Sequence, residues 1–449
     1  MIRYIKGYVN MNALQNIYIR ILTPITNKTQ KVSESARNAV VFVCMLLILS
    51  TGLIRFADMR LEWGFSISET IWVTLIGGLV LIATVFSVKG RLQVLKCNLA
   101  IFIFFVAFNI LIIISGFHHF IGDGIRPFSI VLLVFFIPFY FVWSNREDFQ
   151  TLFRMIATAM ASAGLVFIVI GMIVFPLALG GRYTGLTSNP NSIGGIAAVV
   201  LICGMYLLFT DKKLLAGLGI VTTLISFFTL FLSNSRTGML MALFAIIICV
   251  IHLIHVFRED KEKGKEILRR VLLIVGIIAV ALVFFIVVIS VNSMQGSNLI
   301  TRFFQGFGTA SAESNAYYII NRILSGRLAI WDTYIQHLNL IGNDATYLPV
   351  YLKGIMSTAH NGVIDIAYRS GIPAGITYLG FLILSIIISA RRFFSDKTEQ
   401  CLLVSIAVSG FVVYGLLEPV IPMTLFSAAV LYFLVLSPLF FQMSSDKSK

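Results

Sequence analysis

Long apolar runs, separated by short polar connectors, extend over most of the chain. A bilayer core of about 30 Å is crossed by roughly 20 helical residues, so an uncharged apolar run of that order predicts a transmembrane helix. Twelve runs qualify, near residues 38–54, 70–88, 98–116, 128–143, 155–178, 192–209, 214–232, 237–257, 270–291, 363–389, 401–417 and 420–441. The pattern predicts an all-α integral membrane protein with about 12 transmembrane helices. Its polytopic domain covers residues 38–441, between tails at 1–37 and 442–449.

The connector between the ninth and tenth runs, residues 292–362, is far longer than the others. Long connectors in compact proteins are usually functional or disordered. Within it, residues 315–341 carry large apolar side chains at helical spacing: Leu328, Trp331, Ile335 and Leu338. The spacing predicts one or two amphipathic helices lying on the membrane surface. A folded cap without chemistry is the alternative interpretation.

Composition and charge placement agree with a membrane protein. The chain is 58% hydrophobic and 12% charged, whereas soluble domains are about 45–50% apolar and about 25% charged. With a cytoplasmic N-terminus, the cytoplasmic segments hold 24 Lys and Arg and the opposite face holds 10. This is the positive-inside distribution, which predicts that both termini are cytoplasmic. The net charge of +14 therefore reflects the membrane topology. The sequence has no cluster of basic residues that would indicate a nucleic acid partner.

The basic residues of the predicted outer face are nearly all arginine, nine of ten, with Lys353 the exception. The guanidinium fork suits phosphate or carboxylate, whereas the lysine ammonium is a mobile point charge. The bias indicates an anionic ligand outside the membrane. Pairing with carboxylates and snorkelling at the interface remain the alternative for any single arginine. The outer carboxylates Asp332, Asp344 and Asp365 are scattered, so neither a metal site nor a cofactor is expected.

Two outer connectors begin helices beside an arginine. SNSRTG at 233–238 precedes the eighth run, where Ser233, Asn234 or Ser235 can cap a helix whose free N–H groups lie next to Arg236. A helix N-terminus with a guanidinium is suited to bind an anion such as phosphate. GRYTGLTSNPNSIGG at 181–195 places Arg182 close to the membrane. Its Asn-Pro-Asn sequence, 189–191, predicts a turn and a helix start.

A third outer segment, STAHNGVIDIAYRSGIPAG at 357–375, leads into the tenth run. His360 precedes that helix by a turn or less. An isolated histidine there is more often an interfacial hydrogen-bonding residue than a catalyst. Asp365 and Arg369 form an i,i+4 pair, which favours mutual neutralisation over chemistry.

Together the motifs resemble the bacterial O-antigen ligase and O-antigen polymerase superfamily, which includes capsular and exopolysaccharide polymerases. The similarity lies in GRYTGLTSNPN at 181–191, SNSRTG at 233–238, GRLAIW at 326–331, LIGND at 340–344 and HNGVIDIAYRSGIPAG at 360–375. It extends to the twelve-span layout with a large extracytoplasmic loop between spans nine and ten. The resemblance implies a GT-C-like membrane glycosyltransferase of the bacterial inner membrane, which inverts the anomeric centre without a metal.

The resemblance also implies the substrates and the site. The donor would be a glycan linked to polyprenyl pyrophosphate, and the acceptor another glycan or a lipid-linked molecule. Membrane lipids, flippase proteins and chain-length regulators are the further candidate partners. The residues carried over are Arg236, Arg182 and Arg327 as pyrophosphate ligands, His360 as the catalytic base, and Ser235, Asn361, Asn189 and Asn191 in support.

The sequence favours a polymerase, which joins lipid-linked repeats, over a ligase, which moves the finished glycan to a lipid or protein acceptor. The ligase pattern has HN, nine residues, then G-x-x-G. Here Gly371 is followed by Ala374, and Gly375 comes one residue late. From another class, a flippase or transporter would also have many spans and intramembrane arginines. It would place ionisable groups at mid-bilayer, whereas the informative charges here lie at the outer edge.

Overall fold

The computed structural model describes residues 8–63, 68–119, 125–176, 182–291, 327–344, 358–396, 398–418 and 427–443. Helices make up nearly all of this part of the chain: α1 (Asn12–Thr29), α2 (Glu34–Leu61), α3 (Glu69–Ser87), α4 (Leu99–His118), α5 (Ile125–Ser144), α6 (Phe149–Val174), α7 (Pro190–Leu208), α8 (Lys213–Ser233), α9 (Arg236–Glu259), α10 (Lys261–Val291), α11 (Arg327–Gln336), α12 (Gly362–Ser370), α13 (Ile372–Asp396), α14 (Glu399–Gly415), α15 (Ser427–Leu434) and α16 (Ser437–Phe440). Two three-residue strands, β1 (Tyr8–Asn10) and β2 (Lys96–Asn98), pair antiparallel with Val9 opposite Cys97.

Nine of the described helices are long and apolar enough to cross a membrane, namely α2 to α9 and α13. They coincide with the first eight predicted runs and the tenth. Helix α10 covers the ninth run, α14 is a shorter apolar helix on the eleventh, and α15 and α16 lie on the twelfth. The chain is therefore a multi-pass, all-α membrane protein, as the apolar pattern predicts. The total of about twelve spans stays a prediction.

The tenth run is interrupted, which corrects the continuous span predicted over 363–389. Helix α12 ends at Ser370, Gly371 has a φ of 93°, and α13 begins at Ile372. A residue at that φ leaves the α-helical region, so the hydrogen-bonding pattern restarts there. Pro373 fits the first turn of α13, where its missing N–H costs nothing. The amphipathic α12 thus precedes the membrane span instead of forming its first part.

Helix α7 lies at the centre of the bundle, because 89% of its apolar window is buried. It packs closely on α8 where glycines remove the side chains. A Cβ on Gly204 would lie 2.8 Å from Thr223 Oγ1, and a Cβ on Gly219 would lie 2.8 Å from the Gly204 carbonyl oxygen. Small residues at such contacts are typical of helix pairs in membranes, where close backbone packing replaces hydrophobic burial.

The bundle has two polar ends. We call the motif end the one formed by residues 182–191, 233–237, 327–344, 358–361 and 416–418. At the opposite end, Glu399 binds Arg154 at 2.9 Å and Lys263 at 3.1 Å, and so joins α6, α10 and α14. The described parts of five predicted outer segments thus share the motif end, and Arg154, Lys263 and Glu399, which lie at or near predicted cytoplasmic connectors, meet at the other. The predicted surface segment 315–341 is described only from residue 327 onward, as α11 and the turn after it.

Candidate active site

A buried carboxylate, Glu418, lies at the centre of the motif end and is only 4% exposed. One carboxylate oxygen, Oε1, accepts from Arg327 Nη2 at 2.5 Å, Asn191 Nδ2 at 3.2 Å and Thr237 Oγ1 at 3.3 Å. The other, Oε2, lies 3.1 Å from His360 Nδ1. We call these five residues the Glu418 cluster. They come from four of the motifs and from the connector that follows α14.

Several contacts hold His360 in place. His360 has a backbone φ of 50°, which is uncommon for a residue other than glycine. Before it, the Ala359 N–H donates to Asp365 Oδ1 at 2.9 Å. After it, Asn361 caps α12 by accepting from the Val363 N–H at 3.0 Å. Such a conformation persists only where the surroundings over-determine it, which is typical of functional sites.

Asn361 also ties this turn to the connector that carries Glu418. Its Nδ2 donates to the Leu416 carbonyl oxygen at 3.1 Å, two residues before Glu418. Asn361, predicted from the sequence as a supporting residue, therefore makes two local contacts. The side chain starts α12 with its oxygen and holds the two catalytic candidates together with its nitrogen.

Arg182 braces the end of α8. Its Nε donates to the Ser233 carbonyl oxygen at 2.8 Å, and its Nη2 donates to the Asn234 carbonyl oxygen at 2.9 Å and to Asn191 Oδ1 at 2.8 Å. The carbonyl oxygens at a helix C-terminus have no partner within the helix and carry partial negative charge, so a guanidinium there is favourable. Arg182 therefore fixes the turn from which α9 starts, and Asn191 connects it to Glu418.

The turn between α8 and α9 presents Arg236. Asn234 has a φ of 49° and ends α8, and the Ser235 hydroxyl caps α9 by accepting from the Gly238 N–H at 3.3 Å. Ser235 is therefore the cap among the three candidates of the sequence. Arg236 is the first residue of α9, and its side chain is exposed. A guanidinium beside the N-terminus of a 24-residue helix provides the anion-binding combination that the sequence indicates.

Neighbouring caps start α7. Asn189 is its N-cap, because its Oδ1 accepts from the Asn191 N–H at 2.8 Å, and Pro190 occupies the first helical position. Gly194, one turn later, lies against the α9 cap: a Cβ there would be 2.2 Å from Ser235 Cβ. The Asn-Pro-Asn and Ser-Asn-Ser-Arg motifs therefore pack against one another at the motif end.

Helix α11 brings Arg327 to the cluster. Its inner face, Ile330 and Tyr334, packs on Ala359 before α12 and on Tyr368 within α12. The turn after α11 is anchored as well: the Asn343 N–H donates to the Tyr368 carbonyl oxygen at 2.9 Å, and Ser115 Oγ donates to the Ile341 carbonyl oxygen at 2.7 Å. The LIGND motif thus anchors the helix that carries Arg327 onto α12 and the end of α4.

Asp365 is a second buried carboxylate at this end, 1% exposed. Burial raises its pKa to about 6, although Arg369, the Ala359 N–H and His360 act in the opposite direction. The charge of Arg369 thus acts on Asp365, in the direction expected of the predicted i,i+4 pair. The bond of the Asp365 carboxyl is to the Ala359 backbone, so its position supports the turn that holds His360.

Arg327, His360 and Asn191 therefore come together on Glu418, with Arg182 bonded to Asn191. Arg236 starts the neighbouring helix, and Thr237 beside it reaches Glu418. Sequence reasoning missed Glu418 and Thr237. A signal for Glu418 was present, since it is a lone acidic residue between the eleventh and twelfth apolar runs, on the predicted outer face.

Residues 221–379 match the family model described as O-antigen ligase. The matched segment contains Arg236, Arg327 and His360, whereas Arg182 and Glu418 lie outside it. A comparison with curated proteins gave no match. The family match confirms the resemblance to the O-antigen ligase and polymerase superfamily that the motifs indicate, and supports a function of the ligase or polymerase type.

Proposed function

We propose that this chain is a membrane glycosyltransferase that polymerises polyprenyl-pyrophosphate-linked oligosaccharide repeats into a cell-surface polysaccharide. The motif end would face the outside of the bacterial inner membrane, and transfer would invert the anomeric centre without a metal. The observation that carries the proposal is the Glu418 cluster, in which a carboxylate contacts an imidazole and a guanidinium next to a helix N-terminus that carries Arg236. The family match supports the same reaction class.

The donor needs positively charged and hydrogen-bond-donating groups that stabilise its leaving group. As the bond between the anomeric carbon and the pyrophosphate oxygen breaks, negative charge develops on the polyprenyl pyrophosphate. Preorganised guanidinium and backbone N–H groups lower the energy of such a transition state. Arg236 and the first turn of α9 supply this environment. Arg327, which is bound to Glu418, is a second cation at the same end of the bundle.

The acceptor needs a base on the other side of the sugar. With Glu418 accepting from Nδ1, the proton of a neutral His360 lies on Nδ1, and Nε2 is left to accept one. In the proposed step the acceptor hydroxyl oxygen attacks the anomeric carbon from the face opposite the leaving group. Its proton passes to His360 Nε2, and polyprenyl pyrophosphate departs as the anion. General base catalysis of this kind contributes about 10²–10⁴-fold.

Arg182 has a positioning role in this scheme. Its guanidinium bonds to two carbonyl oxygens of the turn before Arg236 and to Asn191, which in turn contacts Glu418. It thereby joins the donor side of the site to the acceptor side. Direct contact between Arg182 and the pyrophosphate, which the family resemblance implies, stays a prediction.

The preference for a polymerase comes from the departure after Gly371, where Ala374 stands in place of the second glycine of the ligase pattern and Gly375 comes one residue late, and from the lack of a sequence feature that indicates a particular acceptor. At this ending a Cβ on Gly375 would lie 2.5 Å from Ala367 Cβ, whereas Ala374 is accommodated in full burial. The close approach of α12 and α13 therefore requires glycine at 375, one residue later than in the ligase pattern. This local difference is consistent with the preference for a polymerase. The glycan product that the protein makes decides between polymerase and ligase.

Deletion of the gene, followed by separation of lipid-linked glycans on the two sides of the membrane, tests the proposal. We expect single repeats to accumulate on the outer side. Long chains that stay unattached would instead assign a ligase, and repeats trapped inside would assign a flippase.

Reconstitution of purified protein with lipid-linked repeats should then yield chain-length ladders in the presence of a chelator. Loss of product with the chelator would overturn the metal-independent step.

A matched pair of histidine variants tests the site. H360A should abolish the ladders while the protein remains in the membrane. H337A is the control, because His337 lies in the same connector and its Nδ1 contacts the Thr333 carbonyl oxygen at 2.8 Å. Normal ladders from H360A would remove His360 from the mechanism.

A further inference from the structure

Helix α1 divides into three faces, each roughly a third of a turn from the others at about 100° per residue. The first is buried against the bundle: Gln15, Leu22 and Thr26 are 1%, 5% and 3% exposed. The second is apolar and exposed: Ile17, Ile21 and Ile25 are 51%, 58% and 44% exposed. The third is polar and exposed, and comprises Asn16, Arg20, Thr23 and Asn27.

The buried face fixes where α1 lies along the bundle. Gln15 donates to the Leu95 carbonyl oxygen at 2.7 Å and accepts from the Leu95 N–H at 2.6 Å, and Thr29 Oγ1 donates to the Val85 carbonyl oxygen at 3.2 Å. Val85 belongs to the last turn of α3, and Leu95 precedes β2 and the start of α4. Helix α1 is therefore tied to the opposite end of the bundle, where two membrane spans end and begin.

Three faces in this arrangement match a helix lying in the plane of a membrane boundary. Such a helix meets protein on one side, acyl chains below and water above, so one of its two outward faces is apolar and the other is polar. A helix with water on both outward faces would leave the exposed parts of Ile17, Ile21 and Ile25 in water, which is unfavourable for apolar side chains. A stripe at i, i+4 and i+8 beside a separate polar face is the amphipathic pattern of interfacial helices.

The surroundings of α1 are basic. Exposed cations accompany it on the helix, on the residues after it and on the connector it binds: Arg20, Lys28, Lys31, Arg91 and Lys96. Two nearby acids are paired, since Glu34 is bound to Lys89 at 2.9 Å and Asp148 to Arg146 at 2.6 Å. Clustered Lys and Arg side chains at a membrane surface attract anionic lipid headgroups.

We propose that α1 is an in-plane membrane anchor that inserts Ile17, Ile21 and Ile25 among the acyl chains of an anionic leaflet. Arg20, on the polar face, then lies at the level of the lipid phosphates. Lys28 is in the last turn, on the side of the isoleucines, and its long side chain extends from there to the same phosphates. The anchor is independent of the reaction proposed for the motif end, since its residues lie at the opposite end of the bundle.

Spin labels on the full chain in nanodiscs test the anchor. The five native cysteines are buried, so a nitroxide attaches at an introduced cysteine, with the unsubstituted chain measuring background. At I21C we expect high accessibility to oxygen and low accessibility to a water-soluble nickel chelate, with a depth of about 5–10 Å. T23C, on the polar face two residues away, is the matched control and should show the reverse.

The lipid chemistry is tested with the same label. The I21C label should lie deeper in nanodiscs with phosphatidylglycerol than in those with phosphatidylcholine alone, and R20Q/K28Q/K31Q should remove that difference. Equal depth in both lipids would overturn the anionic preference. High nickel accessibility at I21C would overturn the anchor. Low accessibility to both reagents, with dipolar broadening between labels, would assign the face to a second copy of the chain and overturn it as well.

Discussion

Glu418 Oε2 lies 3.1 Å from His360 Nδ1, although the two residues are 58 positions apart and approach the motif end from different helices. The same carboxylate binds Arg327 through its other oxygen. A buried charge is stable only when it is paired and hydrogen-bonded, so the Glu418 carboxylate depends on its contacts with Arg327 and His360. A histidine near a membrane surface becomes a candidate base through this partnership, because the carboxylate fixes which ring nitrogen is available.

Substitution E418Q should reduce transfer by about 10²–10⁴-fold, because the amide neither orients His360 as firmly nor balances Arg327. E418D should recover part of the activity. The measurement is turnover of lipid-linked repeats in proteoliposomes, normalised to folded protein.

Glu399 offers a matched control for Glu418. It is a largely buried carboxylate bound to Arg154 and Lys263 at the opposite end. E399Q should lower thermal stability and leave turnover per folded molecule unchanged. If E418Q behaves like E399Q, Glu418 has a structural role alone.

Arg182 and Arg236 should differ in what their removal changes. R236A should slow turnover more than it lowers the thermal midpoint, because its exposed guanidinium lies at the start of α9, on the proposed donor side. R182A should destabilise the protein by about 2 kcal/mol or more, because three acceptors lose a charged donor. Thermal unfolding with initial rates over a range of donor concentrations separates the two. A raised KM for R182A at an unchanged midpoint would favour direct binding of the donor.

The apolar pattern predicts the spans well, because the bilayer imposes one length and one polarity on each. It fails at Gly371, where a break of one residue is hidden in an apolar run, and at β1 and β2, which are too short to show a period. The motifs come together at one end of the bundle, but the sequence does not indicate their common partner. Glu418 is a single acid between two spans, and its role depends on four side chains that only folding brings to it.

Two glycines should be indispensable where the turn after α11 crosses the end of α12. Gly342 and Gly371 have φ of 100° and 93°, and an added Cβ would lie 2.2 Å from the Arg369 and Leu340 carbonyl oxygens respectively. G371A and G342A should therefore each destabilise the protein by more than the cost of the left-handed conformation, which is about 1–2 kcal/mol.

Gly90 separates the two causes of that loss. Its φ is 75°, but nothing lies within 4 Å of an added Cβ, so G90A measures conformational strain alone. Thermal midpoints of the three variants in one detergent provide the comparison. Equal midpoints for G371A and G90A would show that the backbone around Gly371 moves away from the added Cβ without a loss of stability.

Asp365 should make the protein less stable as the pH rises through the range from about 4 to about 6. Burial raises the folded-state pKa of this carboxyl to about 6, while an unfolded aspartate has a pKa of about 3.9. The folded state therefore binds the proton more tightly. Its stabilising contribution is complete below the unfolded pKa and is lost as the pH passes the folded pKa, a difference of about 3 kcal/mol at neutral pH. Arg369 and His360 are the charged groups that act on it.

Substitution D365N tests this linkage, because the amide oxygen still accepts the Ala359 N–H while the group stays neutral at every pH. The variant should unfold at a higher temperature than the parent at pH 7.5 and at nearly the same temperature at pH 4. D332N is the control, since Asp332 is exposed and bonds to Gln336, one turn along α11. It should follow the parent at both pH values. A D365N midpoint below that of the parent at pH 7.5 would mean that the ionised carboxylate, held by Arg369, is the stabilising form.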